Sequence, residues 1–203
     1  ELRGVTLWDV GCGTGFVSEH VVDKQHGAIG IEPSLAGAQA SVARGLSVFC
    51  GTLESLVLPS GSIHAFGLFD VLEHLVDRTA LLGEIRRVMA PDASLLVTLP
   101  AHSFLWSSID VLSSHQLRYT RRSATKELEE AGFQVDRIGY FFVTGVPSLL
   151  LTRVIPERLN LRWMTARSSE LNVKLLQSGP SLFSRVFRLL EVLLAMRAPF
   201  GSS

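Results

Sequence analysis

The 203-residue chain has no surplus of charge of either sign, because 19 Lys and Arg side chains balance 19 Asp and Glu side chains. Proteins that bind nucleic acid by neutralising phosphates usually carry a clear basic surplus, so the overall charge argues against a nucleic-acid partner. The balance hides an asymmetry, since residues 153–203 have 8 basic and 3 acidic side chains and a net charge of +5. Residues 1–152 have a net charge of −5. The C-terminal quarter is therefore basic as well as apolar.

Cysteine is scarce. Cys12 and Cys50 cannot build a disulfide framework, and the absence of a CxxC pair excludes a structural zinc site of that kind. The Asp and His residues show no metal-ligand spacing either, so the sequence predicts no metal site. The first residues lack the basic and apolar regions of a secretory leader, which with the free cysteines predicts a cytoplasmic location.

Long apolar runs are also missing. The uncharged stretch Ile138–Thr152 has 15 residues, fewer than the roughly 18 that a membrane-spanning helix requires. The 47% content of hydrophobic residues is nevertheless ample for a packed core and excludes a disordered chain. Length and composition together predict one compact domain with an appended element.

Apolar runs of strand length alternate with segments of helical periodicity. This alternation predicts an α/β fold with a doubly wound, mostly parallel sheet of the Rossmann type. The predicted strands are Val5–Val10, Ala28–Ile31, Val48–Cys50, Ile63–Phe69, Ser94–Leu99 and Phe133–Phe142. The predicted helices follow Gly15 and cover 35–43, Ala80–Met89 and Ser123–Ala131. We expect residues 1–143 to form this core and residues 144–203 a helical extension.

A glycine-rich turn follows the first strand. Gly11, Gly13 and Gly15 let the backbone bend sharply and approach a ligand with no Cβ in the way. Glu32 ends the next strand, where a carboxylate can accept hydrogen bonds from both hydroxyls of a ribose. Asp9 would repel the pyrophosphate of a dinucleotide but suits a ligand with an ammonium group. The pattern therefore favours S-adenosylmethionine over NAD.

Four segments resemble the class I S-adenosylmethionine-dependent methyltransferases, over roughly residues 5–140. They are LWDVGCGTG (7–15), IGIEPS (29–34), CGTLESLVLPSGS (50–62) and FDVLEHLVDRTALLGEIRRVMAP (69–91). The resemblance implies a seven-stranded sheet whose last strand is antiparallel, and S-adenosyl-L-methionine as the cofactor.

The same resemblance implies where each part of that cofactor binds. The methionine end is assigned to Asp9, Gly11, Cys12, Gly13 and Gly15. The ribose is assigned to Glu32 and Pro33, the adenine to Thr52, Leu53 and Glu54, and the region of the transferable methyl group to Phe69 and Asp70.

A further block, residues 100–135, is similar to bacterial methyltransferases found with cell-envelope glycan or lipid genes. It implies that His115–Arg122 lies over the acceptor pocket and that a basic and aromatic cluster there suits an anionic acceptor. Asp70, His74 and His115 are the predicted catalytic residues, His74 because it follows Asp70 by four positions and shares its helical face. The predicted reaction is O-methylation of a small acceptor, lipid-linked or glycan-like.

Two other functions stay open at this point. One is an NAD-dependent oxidoreductase on a Rossmann sheet, against which Asp9 counts, and the other is a non-catalytic S-adenosylmethionine-binding protein. The segment Ser181–Arg197 has a broad apolar face and a narrow face with basic residues. It predicts either peripheral contact with the inner membrane face or packing within the protein or a homodimer.

Overall fold

The computed structural model describes residues 5–21 and 27–161, which form a five-stranded sheet with helices between its strands. The strands are β1 (Leu7–Val10), β2 (Ala28–Glu32), β3 (Ser47–Cys50), β4 (Ile63–Phe69) and β5 (Met89–Thr98). The helices are α1 (Phe16–Val21), α2 (Leu35–Ala43), α3 (Thr79–Val88), α4 (Ser108–Leu112), α5 (Arg121–Glu130), α6 (Val146–Leu149) and α7 (Ile155–Arg158). The predicted α/β class is confirmed.

All four pairings in the sheet are parallel, and the strand order is β3-β2-β1-β4-β5. The chain runs outward from β1 through β2 to β3 and then returns to the other side of β1 for β4. Loops at the carboxyl ends of β1 and β4 consequently diverge, and such a switch point is where open α/β sheets bind ligands. The topology places the glycine turn and the end of β4 on opposite sides of this opening.

The core lies where α3 packs against the centre of the sheet. Phe66 and Leu68 of β4 and Leu82, Ile85 and Val88 of α3 are fully or almost fully buried and belong to one apolar cluster. The helical period of the apolar positions in α3 gives the helix this buried face. The packing fixes the direction of β4 and hence the position of the residues that follow it.

Several predicted boundaries differ slightly from the observed ones. The helix predicted over Ala80–Met89 ends at Val88, and β5 begins directly at Met89. Pro91 lies inside β5, where the register against β4 shifts between Ile63 and Ala65. Proline has no amide hydrogen to contribute to a ladder, so it is tolerated at such an irregularity.

The strand predicted over Phe133–Phe142 is wrong. No regular strand or helix spans residues 133–142, and among the described residues none pairs with them in a ladder. Alternating side chains make a strand only where a neighbouring strand takes up the backbone hydrogen bonds. The sheet of the described residues therefore has five strands instead of the implied seven, and the antiparallel last strand that the resemblance implies has no counterpart among those residues.

The described part of the predicted extension is helical. A turn at Val143–Gly145 leads into α6, a π-helical turn over Leu150–Val154 and α7. None of the helices in residues 5–21 and 27–161 has both the length and the apolar character that crossing a membrane would need. The helix predicted over Ser181–Arg197 lies outside the described residues, and the boundary at 143/144 stays a prediction.

Candidate functional site

An open cleft of about 410 Å³ lies at the carboxyl ends of β1, β2 and β4. One wall comes from the glycine turn and the end of β2, and the other from the segment after β4. The lining residues are Gly11, Cys12, Gly13, Thr14, Phe16, Val17, Glu32, Pro33, Phe69, Asp70, Val71, His74 and Leu75. The cleft therefore brings together most of the residues that the sequence assigned to the cofactor, with Asp70 and His74 opposite them.

The glycine turn is held by its own amide groups. The N–H groups of Gly11 and Cys12 both donate to the carbonyl of Ile31, at 2.7 and 3.2 Å, and that of Gly15 donates to the carbonyl of Cys12. The hydroxyl of Ser41, on α2, donates to the carbonyl of Gly13 at 2.8 Å. These bonds tie the turn to β2 and α2, so its shape is fixed by the protein.

Gly13 is the position in the turn that opens onto the cleft. Its φ is +55°, and a Cβ added there would meet no atom within 4 Å. Gly11 differs, because a Cβ there would lie 2.8 Å from Cγ2 of Val71 on the opposite wall. Glycine at 11 permits the two walls to approach, whereas glycine at 13 keeps ligand space free.

Glu32 joins the turn to the start of α2. One carboxylate oxygen accepts a hydrogen bond from the N–H of Gly13 and the other accepts one from the N–H of Ser34, both at 2.8 Å. Although the side chain is largely buried, it borders the cleft. Each oxygen of an ionised carboxylate has about two acceptor sites, so each retains one.

Asp9 lies beneath the turn and does not line the cleft. Its side chain is 1% exposed, the hydroxyl of Ser18 donates to Oδ2, and Oδ1 has no hydrogen-bond partner. Burial raises the pKa of Asp9 to about 6, the bond from Ser18 opposes the rise, and the negative charge of Glu32 adds to it. The carboxylate beneath the turn thus has one oxygen, Oδ1, without a hydrogen-bond partner.

Ser18 and Ser41 are the site residues that sequence reasoning missed. Both are fully buried, although serine is usually exposed, and each bonds to the first strand or to the turn that follows it. In the sequence, the one indication of their role is that each is a small polar residue among apolar or small neighbours on a helix next to the turn, α1 for Ser18 and α2 for Ser41.

Cys12 packs against the second strand. A Cβ added to Gly30 would lie 2.5 Å from its sulfur, and the sulfur lies 3.6 Å from the hydroxyl of Ser41. Burial raises the pKa of the thiol, which keeps it in the unreactive protonated form. The residue fills the tight space between the turn, β2 and α2.

Asp70 adopts a backbone conformation that is uncommon for a residue other than glycine, with φ +55°. Its N–H lies 3.1 Å from both the carbonyl and the hydroxyl oxygen of Thr98, and that hydroxyl donates to the Asp70 carboxylate. Such strained positions occur where the surrounding structure requires them, often at functional sites. The bonds to β5 hold Asp70 at the mouth of the cleft.

A cluster of Glu73, His74 and His115 adjoins this wall. Neither carboxylate oxygen of Glu73 has a hydrogen-bond partner, although the side chain is fully buried. The rings of His74 and His115 meet edge to face with centroids 4.8 Å apart, and Nε2 of His115 lies 4.0 Å from Oε1 of Glu73. Burial raises the pKa of Glu73 to about 7, and the negative charge of Asp70 adds to the rise. His115 does not line the cleft itself but stands behind His74.

The predicted basic and aromatic cluster does not form a single surface. Arg118 donates to both oxygens of the buried Asp110, at 2.7 and 3.1 Å, and to the carbonyl of Ala101. Tyr119 is buried in the core, whereas Arg121 and Arg122 are exposed at the start of α5. Arg118 therefore serves the interior and is not a free anchor for an anionic acceptor.

The residues assigned to the adenine do not line the cleft. Leu53 is buried in the apolar core, and Thr52 and Glu54 are exposed in the turn after β3. The amide of Gly51 donates to the carbonyl of Glu32, so this turn adjoins the ribose side of the cleft. Their assigned role stays a prediction.

Comparisons with known proteins agree with this geometry. A family model described as a methyltransferase domain matches residues 8–97. A Mycolicibacterium smegmatis protein named "Probable S-adenosylmethionine-dependent methyltransferase" is 30% identical over 152 residues, which cover 72% of this chain and 59% of that protein. The chain therefore spans about three fifths of the length of this curated relative.

Solved structures are similar in fold. A chain from the complex of the Haloferax volcanii Trm112 methyltransferase activator with a methyltransferase superposes with a TM-score of 0.58 at 19% identity, covering 66% of this chain and 64% of that chain. An S-adenosylmethionine-dependent methyltransferase from Mesorhizobium loti superposes with a TM-score of 0.57 at 17% identity, covering 73% and 85%. At these identities the likeness concerns the fold.

Replacing Asp9 by Asn tests the burial of its charge. The folded pKa of about 6 exceeds the ordinary 3.8, so the contribution of Asp9 to stability is fully present below about pH 4 and lost as the pH rises through about 6. Between about pH 3 and pH 8, the free energy of unfolding of the unsubstituted protein should fall by about 3 kcal/mol relative to Asp9→Asn.

Urea unfolding across this pH range measures the difference. Asp92→Asn, which changes an exposed acid, is the matched control and should follow the unsubstituted protein. If the free energy of unfolding varies with pH in the same way in Asp9→Asn and in the unsubstituted protein, the raised pKa assigned to the buried Asp9 is wrong.

Proposed function

Because the chain belongs to the S-adenosylmethionine-dependent methyltransferases, we propose that it transfers the methyl group of S-adenosyl-L-methionine to an oxygen atom of a small acceptor, lipid-linked or glycan-like. The observation that carries the proposal is the pairing of two walls in one cleft. The glycine turn and Glu32 form a wall suited to an adenosine-containing cation, and Asp70 and His74 face it.

Three features of the chain fit the cofactor that the family implies. Gly13 leaves space where a side chain would stand, Glu32 retains an acceptor site on each oxygen, and Asp9 has an unpartnered oxygen. We assign the ribose hydroxyls to Glu32 and the ammonium group to the Asp9 side of the turn. When bound, S-adenosyl-L-methionine supplies an electrophilic methyl group on a positively charged sulfur.

The chain's own task is then to align an acceptor with that methyl group and to exclude water. A hydroxyl acceptor must also lose its proton, which requires a group that activates the acceptor oxygen. Asp70 and His74 line the cleft and His115 contacts His74 from behind. We assign the activation of the acceptor to these three residues.

The charge of the cleft supports a cationic cofactor over a dinucleotide. Asp9 is close enough to Glu32 for the negative charge of Glu32 to raise the pKa of Asp9. A pyrophosphate beside the turn would be repelled by Glu32 in the cleft and by Asp9 beneath the turn, whereas a sulfonium compound with an ammonium group is attracted by both. The oxidoreductase alternative is therefore not retained.

Replacing Gly13 by Ala should weaken binding of S-adenosylhomocysteine, because the new methyl group enters the ligand space. We expect an affinity loss of at least about tenfold, equivalent to roughly 1.4 kcal/mol. Calorimetric titration of the folded variant measures it.

Gly61→Ala is the matched control. Gly61 also has a positive φ, +68°, and open space at its Cβ, but it lies in a turn before β4 away from the cleft. Both substitutions carry the strain of a left-handed Ala, roughly 1–2 kcal/mol, so stability should drop in both and affinity in Gly13→Ala alone. If Gly13→Ala and Gly61→Ala bind S-adenosylhomocysteine with equal affinity, the glycine turn is not part of the binding site.

Replacing Glu32 by Gln should weaken S-adenosylhomocysteine binding about tenfold to a hundredfold. The amide group of Gln would turn a donor toward the N–H of Gly13 or Ser34, and the ribose would lose a charged acceptor, at a cost of about 1.5–3 kcal/mol. The exposed Glu129→Gln on α5 serves as control and should bind normally. An affinity change below about threefold would assign the ribose to another residue.

The acceptor class is tested with an isotope-labelled methyl donor. The protein is incubated with separate lipid and polar-metabolite extracts, and the labelled products are analysed by NMR, in which a methyl group on oxygen is distinguished from one on nitrogen or carbon. We expect label on oxygen, and markedly less of it with the Gly13→Ala variant at a donor concentration near the Kd of the unsubstituted protein. Label on nitrogen or carbon would overturn the acceptor assignment while leaving methyl transfer intact.

A further inference from the structure

Glu73 is a buried acid whose environment leaves it unsatisfied. Its side chain is 0% exposed, and neither carboxylate oxygen has a hydrogen-bond partner. Buried carboxylates in folded proteins are normally paired, hydrogen-bonded or bound to a metal ion. The backbone carbonyl of Glu73 accepts a hydrogen bond from the N–H of Gln116, and Nε2 of His115 lies 4.0 Å from Oε1, beyond hydrogen-bond distance. Both carboxylate oxygens are therefore left to accept a partner.

Two imidazoles face this carboxylate. One oxygen of Glu73 and one nitrogen each of His74 and His115 lie within 4.8 Å of one another. A tetrahedral ion with bonds of about 2.0–2.1 Å would hold such atoms roughly 3.4 Å apart. A contraction of at most about 1.4 Å would therefore form a three-residue site. His74 is exposed, so its ring can turn toward the other two ligands.

The orientation of His115 is set from behind. Its Nδ1 lies 2.9 Å from the buried carboxylate of Asp110, which Arg118 and Ser107 also bind. Because the Asp110 carboxylate already accepts hydrogen bonds from Arg118 and from the N–H of Ser107, it is an acceptor for His115 as well. Nδ1 of His115 then donates to it, and Nε2 presents its lone pair toward Glu73. A carboxylate behind a histidine in this way is the usual support of a metal ligand.

We propose that Glu73, His74 and His115 bind a divalent transition-metal ion, of which Zn²⁺ is the representative, beside the acceptor wall of the cleft. Two imidazole nitrogens and one carboxylate suit Zn²⁺ and similar ions, whereas Mg²⁺ and Ca²⁺ prefer oxygen donors alone. Three protein ligands leave at least one coordination position open.

The role of this ion rests on the proposed function. His74 lines the cleft opposite the glycine turn, so the ion would adjoin the acceptor. In its open position it would bind the acceptor oxygen, orient it and lower the pKa of its hydroxyl, whose proton would pass to the carboxylate of Asp70 in the same cleft. The favoured acceptor is therefore one whose oxygen is accessible to a metal ion, and the site supplies the activation assigned above to His74 and His115.

Metal binding is measured on the full chain stripped of metal, without any methyl donor. Calorimetric titration with Zn²⁺ should give one site per chain, and Co²⁺ should give the visible absorption of a site with nitrogen and oxygen ligands. Glu73→Gln should weaken Zn²⁺ binding by at least about tenfold. His64→Gln, which removes an exposed histidine of β4, is the control and should leave the titration unchanged.

Folding of the variant is checked independently. Glu73→Gln removes an unpartnered buried charge, so it should stay folded and bind S-adenosylhomocysteine like the unsubstituted protein. Zn²⁺ should raise the melting temperature of the unsubstituted protein but not that of Glu73→Gln. No binding of Zn²⁺, equal binding by Glu73→Gln, or equal affinity for Mg²⁺ would overturn the metal site. If the unsubstituted protein does not bind S-adenosylhomocysteine, the proposed function is overturned instead. The two failures can be told apart because the metal titration requires no methyl donor.

Discussion

The carboxylate of Glu32 is the group on which the geometry of the cleft depends. By accepting from Gly13 and Ser34 it fixes the turn after β1 against the start of α2, while the carbonyl of Ile31 takes the amides of Gly11 and Cys12. The end of β2 therefore shapes the turn after β1, which is possible because the two strands are parallel neighbours. A turn whose amides are already bonded loses little conformational entropy when a ligand binds, and this preorganisation favours affinity.

This arrangement has an electrostatic cost that also defines the ligand. Asp9 and Glu32 both lie at the carboxyl ends of neighbouring strands, and burial makes the ionisation of Asp9 unfavourable. A positively charged ligand offsets that cost, and an anionic ligand would increase it. The same loop that binds pyrophosphate in other Rossmann-like proteins is thereby suited here to a sulfonium cofactor.

The sequence predicted those parts of the site that depend on local pattern. Gly11 and Gly13 follow a strand directly, and Glu32 ends the next one, so spacing and the parallel topology were sufficient to bring them together in the cleft, whereas Gly15 packs against Ser41 and Leu46. Glu73 and His115 are far apart in sequence and come into contact only through the course of the turn that follows α4. No local sequence pattern indicates that course, so the sequence predicted no metal site. The strand expected at 133–142 failed for a related reason, since alternation of side chains is a local property and a ladder partner is not.

Behind each wall of the cleft lies one buried acid whose oxygens are not all hydrogen-bonded. Both oxygens of Glu32 have backbone partners, whereas among the described residues the buried carboxylate oxygens without a partner belong to Asp9 and Glu73. Leaving such groups unpaired costs free energy that a folded protein tolerates where a ligand supplies the missing partner. Asp9 lies under the turn assigned to the cofactor and Glu73 behind the wall assigned to the acceptor. The two unsatisfied acids thus lie on the two sides where the reaction would bring positive charge, a cationic methyl donor on one and a metal ion on the other.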